Sequence, residues 1–212
     1  MKPMRNLLFL IVLIANTSLL FAQESNMNNT EIAEFKAKIN ETSKATNTIQ
    51  SNFTQYKHLD FLSNDITTQG KMAFKAPNMV KWEYTEPFKY SIIFKGDKLI
   101  INDSGTKSNM DLGNSALFRK LNQLIVNSVK GNLFQDSDFT MSYFKSQNYY
   151  KVIFIPKDEK IKSYIASFIL FFDKEKADVL EVKMVEPTND FTRIVFTDRL
   201  INKPLDNEVF SN

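Results

Sequence analysis

The 212-residue sequence predicts an α+β, mainly β protein: a strongly curved antiparallel sheet of about ten strands, an unclosed barrel, with its concave side capped by helices. Three observations lead there. Apolar residues recur with period two over most of the chain, only two segments carry helical periodicity, and neither a linker-like composition shift nor a fixed-period repeat divides the sequence. A plain sandwich of these strands would leave the apolar faces of both helices in water, so the helices must cover the sheet.

The chain begins with a basic and then apolar segment. Lys2 and Arg5 precede the run Leu7 to Ile14, and Leu19, Leu20, Phe21 and Ala22 follow, a secretory pattern with cleavage expected after Ala22. Asn16, Thr17 and Ser18 interrupt the apolar run, which is short for a ~20-residue bilayer span. The expected organisation is a signal peptide over 1–22 and one domain over 23–212.

Within that domain Ile32, Phe35 and Ile39 fall at helical spacing, and Glu31 and Glu34 favour the positive end of the helix dipole, predicting a helix from Thr30 to Lys44. Ile49 to Tyr56 is β-prone but mostly polar, which predicts an exposed first strand. Met72 and Phe74 then alternate with Lys71 and Lys75. After Pro77 and Asn78, Val80, Trp82 and Tyr84 alternate with Lys81 and Glu83, giving half-buried antiparallel strands. Pro87 ends this strand; Tyr90 to Phe94 forms the next, joined through Gly96 and Asp97 to Leu99 to Ile101 as a tight hairpin.

A second helix is expected over about Ser115 to Lys130, because Leu117, Phe118, Leu121, Leu124 and Ile125 share one stripe, with Asn114 or Ser115 as cap and Gly131 just past the end. Asp103-Ser104-Gly105 and Asp111-Leu112-Gly113 read as turns. Strands resume at Phe139 to Phe144, Tyr149 to Ile155, Tyr164 to Phe172, Val179 to Val185 and Phe191 to Thr197.

Composition excludes several kinds of chemistry. The chain has no cysteine, so neither acylation on an N-terminal Cys nor a disulfide is available. The single histidine, His58, lies just past a polar strand with no nucleophile motif around any serine, and it reads as a surface residue. No metal site, cofactor or enzymatic activity is expected: Glu83 with Glu86, and Glu181 with Glu186, sit among lysines and read as solvated, and no glycine-rich phosphate loop occurs. A net charge of +3 with interspersed signs gives no basis for nucleic-acid binding.

What departs from the average is the apolar inventory: 19 Phe, 8 Met and 7 Tyr in a chain whose mean hydropathy is −0.28. Met72, Phe74, Val80, Trp82 and Tyr84 share one sheet face, with Phe94 on the following strand, and Phe118, Leu121 and Ile125 line the second helix. An ordinary core and an acyl-binding cavity both fit this pattern. Met and aromatic side chains suit the second because they repack around variable chains.

Two blocks resemble a known family. Phe53-Thr54-Gln55, followed by Gly70-Lys71-Met72-Ala73-Phe74-Lys75-Ala76-Pro77-Asn78-Met79-Val80-Lys81-Trp82-Glu83-Tyr84 and Pro87, resembles the outer-membrane lipoprotein carrier family LolA. Asp190-Phe191-Thr192-Arg193-Ile194-Val195-Phe196 with Asn202, Leu205 and Phe210 resembles that family's C-terminal pattern. The resemblance implies an open barrel of ten to eleven strands with a helical lid over a hydrophobic cavity. It also implies a monomeric periplasmic carrier that receives acylated lipoproteins from an inner-membrane ABC exporter and releases them to an outer-membrane acceptor or to the membrane. The implied lipid-binding residues are Met72, Phe74, Val80, Trp82, Tyr84, Phe94, Phe118, Leu121 and Ile125. A LolA-like carrier of another lipid, a glycolipid or an aryl-polyene or flexirubin-type lipid, is the alternative.

The chain departs from the family at Ala76. Well-studied members carry an arginine there that ties the lid to the barrel, and alternation predicts that Lys75 and Lys81 point away from the Phe74 and Trp82 face. The carrier role has a clear physical basis. Each buried methylene contributes ~0.8 kcal/mol, so three long acyl chains left in water would cost roughly 30 kcal/mol.

Overall fold

The computed structural model describes residues 24–96, 98–111, 126–127 and 138–211. One helix opens this region. Helix α1 (Asn29–Ala45) starts on a capping box in which the Asn28 side chain accepts from the Glu31 N–H (3.0 Å) while the Glu31 carboxylate accepts from the Asn28 N–H (2.9 Å). It buries Phe35, Ile39 and Ser43.

All twelve strands belong to one sheet, in the order β1-β8-β9-β10-β11-β12-β2-β3-β4-β5-β6-β7. They are β1 (Ser25–Asn26), β2 (Thr48–His58), β3 (Ile66–Lys75), β4 (Met79–Glu86), β5 (Tyr90–Lys95), β6 (Lys98–Asp103), β7 (Thr106–Asp111), β8 (Phe139–Lys145), β9 (Tyr149–Pro156), β10 (Ser167–Asp173), β11 (Val179–Val185) and β12 (Phe191–Ile201). Every pairing is antiparallel, and β1 and β7 are its two unjoined edges. This is the unclosed barrel that the period-two pattern predicts, with one or two strands more.

The extra strands are those whose side chains announce nothing. β1 has two polar residues, and β7 is a polar run beyond the Ser104-Gly105 turn, where both residues have positive φ (52° and 97°), as a two-residue hairpin with the sheet's own twist requires. Tyr164 lies outside β10: it follows a one-turn helix, α2 (Glu159–Lys162), capped by the Asp158 side chain, and is 60% exposed. Residues 1–22 lie outside the described residues, as do 112–125 and 128–130 of the second-helix region. Within that region residues 126–127 are helical, and Val126 is buried in the core.

One expectation is corrected. β2 is not an exposed first strand: it runs between β12 and β3 at the centre of the sheet, with Ile49 and Phe53 at most 2% exposed. Its polar residues Asn52, Thr54 and Tyr56 alternate onto the outer face. A polar majority along a strand reports one solvated face and says nothing about position in the sheet.

Gly70 on β3 is required by packing. A Cβ there would stand 2.2 Å from the Glu83 carbonyl oxygen and 2.7 Å from the Phe53 ring, so only glycine lets that ring lie across the strand. The C-terminal segment crosses the outer face: Lys75 Nζ donates to Leu205 O and Asn207 Oδ1 (2.7 Å each), and a 3₁₀ turn (Asn207–Phe210) packs against β4 with Phe210 fully buried.

Candidate functional site

The concave face has two levels. At the first, where β2 and β9 begin and β10 ends, α1 lies across the sheet. Phe35 inserts between Tyr150 (ring centroids 4.9 Å), Phe172 (5.2 Å) and Tyr143 (6.4 Å). Met72, Phe74 and Val80 are at most 1% exposed and belong to this continuous core. They share a face with Trp82, but they fill space and do not border the cavity described next.

The second level is a cavity of about 250 Å³. Trp82 and Tyr84 of β4, with Ile92 and Phe94 of β5, form one wall. Phe168 of β10, Val182 and Met184 of β11, and Thr192, Ile194 and Phe196 of β12 form the other, and Gln55 of β2 joins them. β5 and β10 are six places apart in the sheet, so facing one another across a single cavity requires the sheet to be coiled.

Aromatic edges form the floor. The Phe53 ring meets Trp82 at 5.0 Å and Tyr84 at 5.1 Å, both edge-on, and Trp82 lies 6.0 Å from Phe196. Beside Phe196 the Arg199 guanidinium lies 5.6 Å over the ring and donates to Val179 O (2.7 Å); burial holds it below its ordinary pKa.

Tyr84 carries the polar end of the site. Its ring stacks on Tyr90 at 4.2 Å, and its hydroxyl donates to Gln55 Oε1 (2.9 Å). Burial, and then Tyr90, push the Tyr84 phenol far above its usual range, so it remains a neutral donor.

Of the residues expected to bind lipid, Trp82, Tyr84 and Phe94 line the cavity; Met72, Phe74 and Val80 lie in the core; Phe118, Leu121 and Ile125 fall outside the described residues. The second wall was not anticipated. The parity that singles out β3 and β4 is equally present in Val182 with Met184, and in Thr192, Ile194 and Phe196, and would have found it. Ala76, at the departure from the family pattern, is partly buried against the core and donates its N–H to Asn47 O (2.8 Å). Lys75 and Lys81 do point outward, Lys75 to the C-terminal segment and Lys81 toward Glu83 (3.6 Å).

The carboxylates are engaged in ion pairs: Glu181 with Arg193 (2.7 Å), Glu186 with Lys57. His58 Nδ1 lies 2.8 Å from Asp65 Oδ1, with its ring stacked on Phe191 at 4.7 Å. No group of three His, Cys, Asp or Glu is placed to hold a metal among the described residues.

An apolar cavity sunk in an unclosed antiparallel barrel defines the class of protein: a half-barrel with an apolar hollow in its concave face. The model of the family described as outer membrane lipoprotein carrier protein LolA matches residues 44–212, and the chain belongs to that family. It is 26% identical over 159 residues to an outer-membrane lipoprotein carrier protein of Francisella philomiragia, covering 70% of this chain and 68% of that one. Two solved structures share the fold. MucB superposes with a TM-score of 0.51 at 10% identity, over 87% of this chain and 64% of that one; lipoprotein LppX of Mycobacterium tuberculosis does so at 0.50 and 11%, over 84% and 99%.

Proposed function

We propose that this protein is a periplasmic carrier that shields the acyl chains of lipoproteins between the inner membrane and the outer membrane. The observation that carries this reading is the cavity lined from both arms of the coiled sheet, in a chain of the LolA family. Trp82, Tyr84, Phe94 and Phe196 supply apolar wall. The resemblance to the family further assigns acyl contact to Phe118, Leu121 and Ile125, which lie outside the described residues. At about 250 Å³ the cavity is smaller than the ~300–1,000 Å³ of pockets that hold a drug-sized ligand, so taking up several acyl chains requires the walls to part.

Loading comes from an inner-membrane ABC exporter, and release is by direct transfer to an outer-membrane acceptor or to the membrane, because passage through water would expose the chains. The test is mass spectrometry of what co-purifies with the periplasmic protein from cells making wild type or Leu121→Glu. The expected result is acylated lipoproteins with wild type and their loss from the folded variant, since an unpaired carboxylate buried among acyl chains is strongly unfavourable. Recovery of a glycolipid or aryl-polyene pigment would replace the client. Recovery of no lipid would overturn the carrier reading.

A further inference from the structure

The cavity is apolar at depth but not at its upper rim. Moving from the Phe53, Trp82 and Phe196 floor toward the loops at 59–65 and 87–89, the inward-facing positions of four neighbouring strands become polar. They are Thr192 on β12, Gln55 on β2, Thr68 on β3 and the Tyr84 hydroxyl on β4. Gln55 and Thr68 are directly paired in register, so their side chains stand side by side on the concave face.

Two features set this band apart from incidental polarity. Thr68 Oγ1 is buried without a hydrogen-bond partner, a state that is unfavourable unless something completes it. The Tyr84 hydroxyl uses the Gln55 carbonyl as its acceptor, which turns the Gln55 amide into a donor with its orientation fixed. The band therefore presents the Thr68 and Thr192 hydroxyls and the Gln55 amide N–H beside an apolar well. Carboxylates and phosphates would call for a free cation here; Lys57, which stands beside Thr192 in register at this rim, is paired with Glu186, and no Lys or Arg lines the cavity itself among the described residues. A neutral carbonyl oxygen is the complementary group.

Resting on the carrier reading above, we infer that Gln55, Thr68 and Thr192, with Gln55 oriented by Tyr84, form a polar collar that hydrogen-bonds the ester or amide carbonyls where acyl chains join their headgroup. The collar fixes the ligand's orientation. Chain ends lie against Trp82 and Phe196, the carbonyls sit at the band, and the headgroup projects between the loops.

Trp82 is the chain's single tryptophan and lines the well, so its fluorescence reports occupancy. The experiment titrates purified protein with a short-chain diacylglycerol and with the dialkyl ether of equal chain length, which lacks carbonyls. Wild type should bind the ester at least ~5-fold more tightly, as one or two net hydrogen bonds imply. Thr68→Val and Gln55→Leu should each erode that preference by weakening ester binding more than ether binding. Thr68→Val should also leave the melting temperature of the empty protein no lower, because it removes a buried hydroxyl that bonds nothing. Equal binding of ester and ether by wild type, or variants that lose both ligands alike, would overturn the collar. Failure of wild type to bind either would instead sink the carrier reading on which the collar rests.

Discussion

The two ends of the coiled sheet are built on opposite principles. Where β2 begins, α1 closes the coil over packed rings, and charged side chains tie it down. Lys145 pairs with Glu31, Lys151 and Tyr149 hold Glu24, and Lys38 donates to the carbonyls of Lys174 and Glu175 (3.0 and 2.8 Å). At the other end the loops carry large apolar residues into solvent: Phe61 is 80% exposed and Phe88 76%. The difference teaches that the α1 end is closed by packing and ion pairs, whereas the other end sets exposed rings beside the buried Ile161 and Ile165. Apolar area exposed on adjacent loops beside an apolar cavity contributes little to folding.

The comparison is most sharply tested by removing a ring from each end. Phe35→Ala should cost about 3–5 kcal/mol, since its ring touches three others and leaves a void, and thermal unfolding should begin roughly 10 °C lower. Phe61→Ser with Phe88→Ser should change stability by no more than ~0.5 kcal/mol per site. Comparable losses at both ends would erase the distinction.

Gly70→Ala tests the level between them. Its methyl would collide with the Glu83 carbonyl and the Phe53 ring, and about 1–3 kcal/mol of destabilisation is expected in a denaturant titration, together with an altered Trp82 emission as Phe53 shifts. An unchanged emission would mean that the strand absorbs the methyl without moving the cavity floor.

A smaller effect separates the ends by pH. Burial works against ionisation of Glu24, but hydrogen bonds from Lys151 and Tyr149 and the Lys151 charge outweigh it and hold the carboxyl below its ordinary value of 4.5. A carboxyl lowered in the folded state contributes stability above its unfolded pKa and loses it as pH falls through the folded one. Stability should therefore decline as the solution is acidified below about 4.5. Lys151→Met should remove part of that acid dependence and, for this partly buried pair, about 1 kcal/mol at neutral pH. An identical acid limb in the variant would remove Glu24 from the account.

The sequence made the sheet legible wherever one face is apolar and the other charged: Met72 to Tyr84 and Val179 to Val185 fall where alternation puts them. It could not show depth. Met72, Phe74, Trp82 and Tyr84 have the same parity, yet the first two lie in the packed core and the last two line the cavity, because period fixes the face of a residue and not its height along the barrel axis. It also hid β7, whose polar residues have no apolar face to display, and the cavity's second wall, whose alternation was visible but was read only as sheet.

The free edges of the sheet have a mechanical meaning. In a closed barrel the number and stagger of strands dictate the bore, and widening it means breaking ladder hydrogen bonds. Among the described residues β1 and β7 are not bonded to one another, so that constraint is absent from the eleven ladders of this sheet. On the carrier reading proposed above, capacity is uncoupled from strand count: an open coil of this kind acts as a spring clip, its grip set by twist.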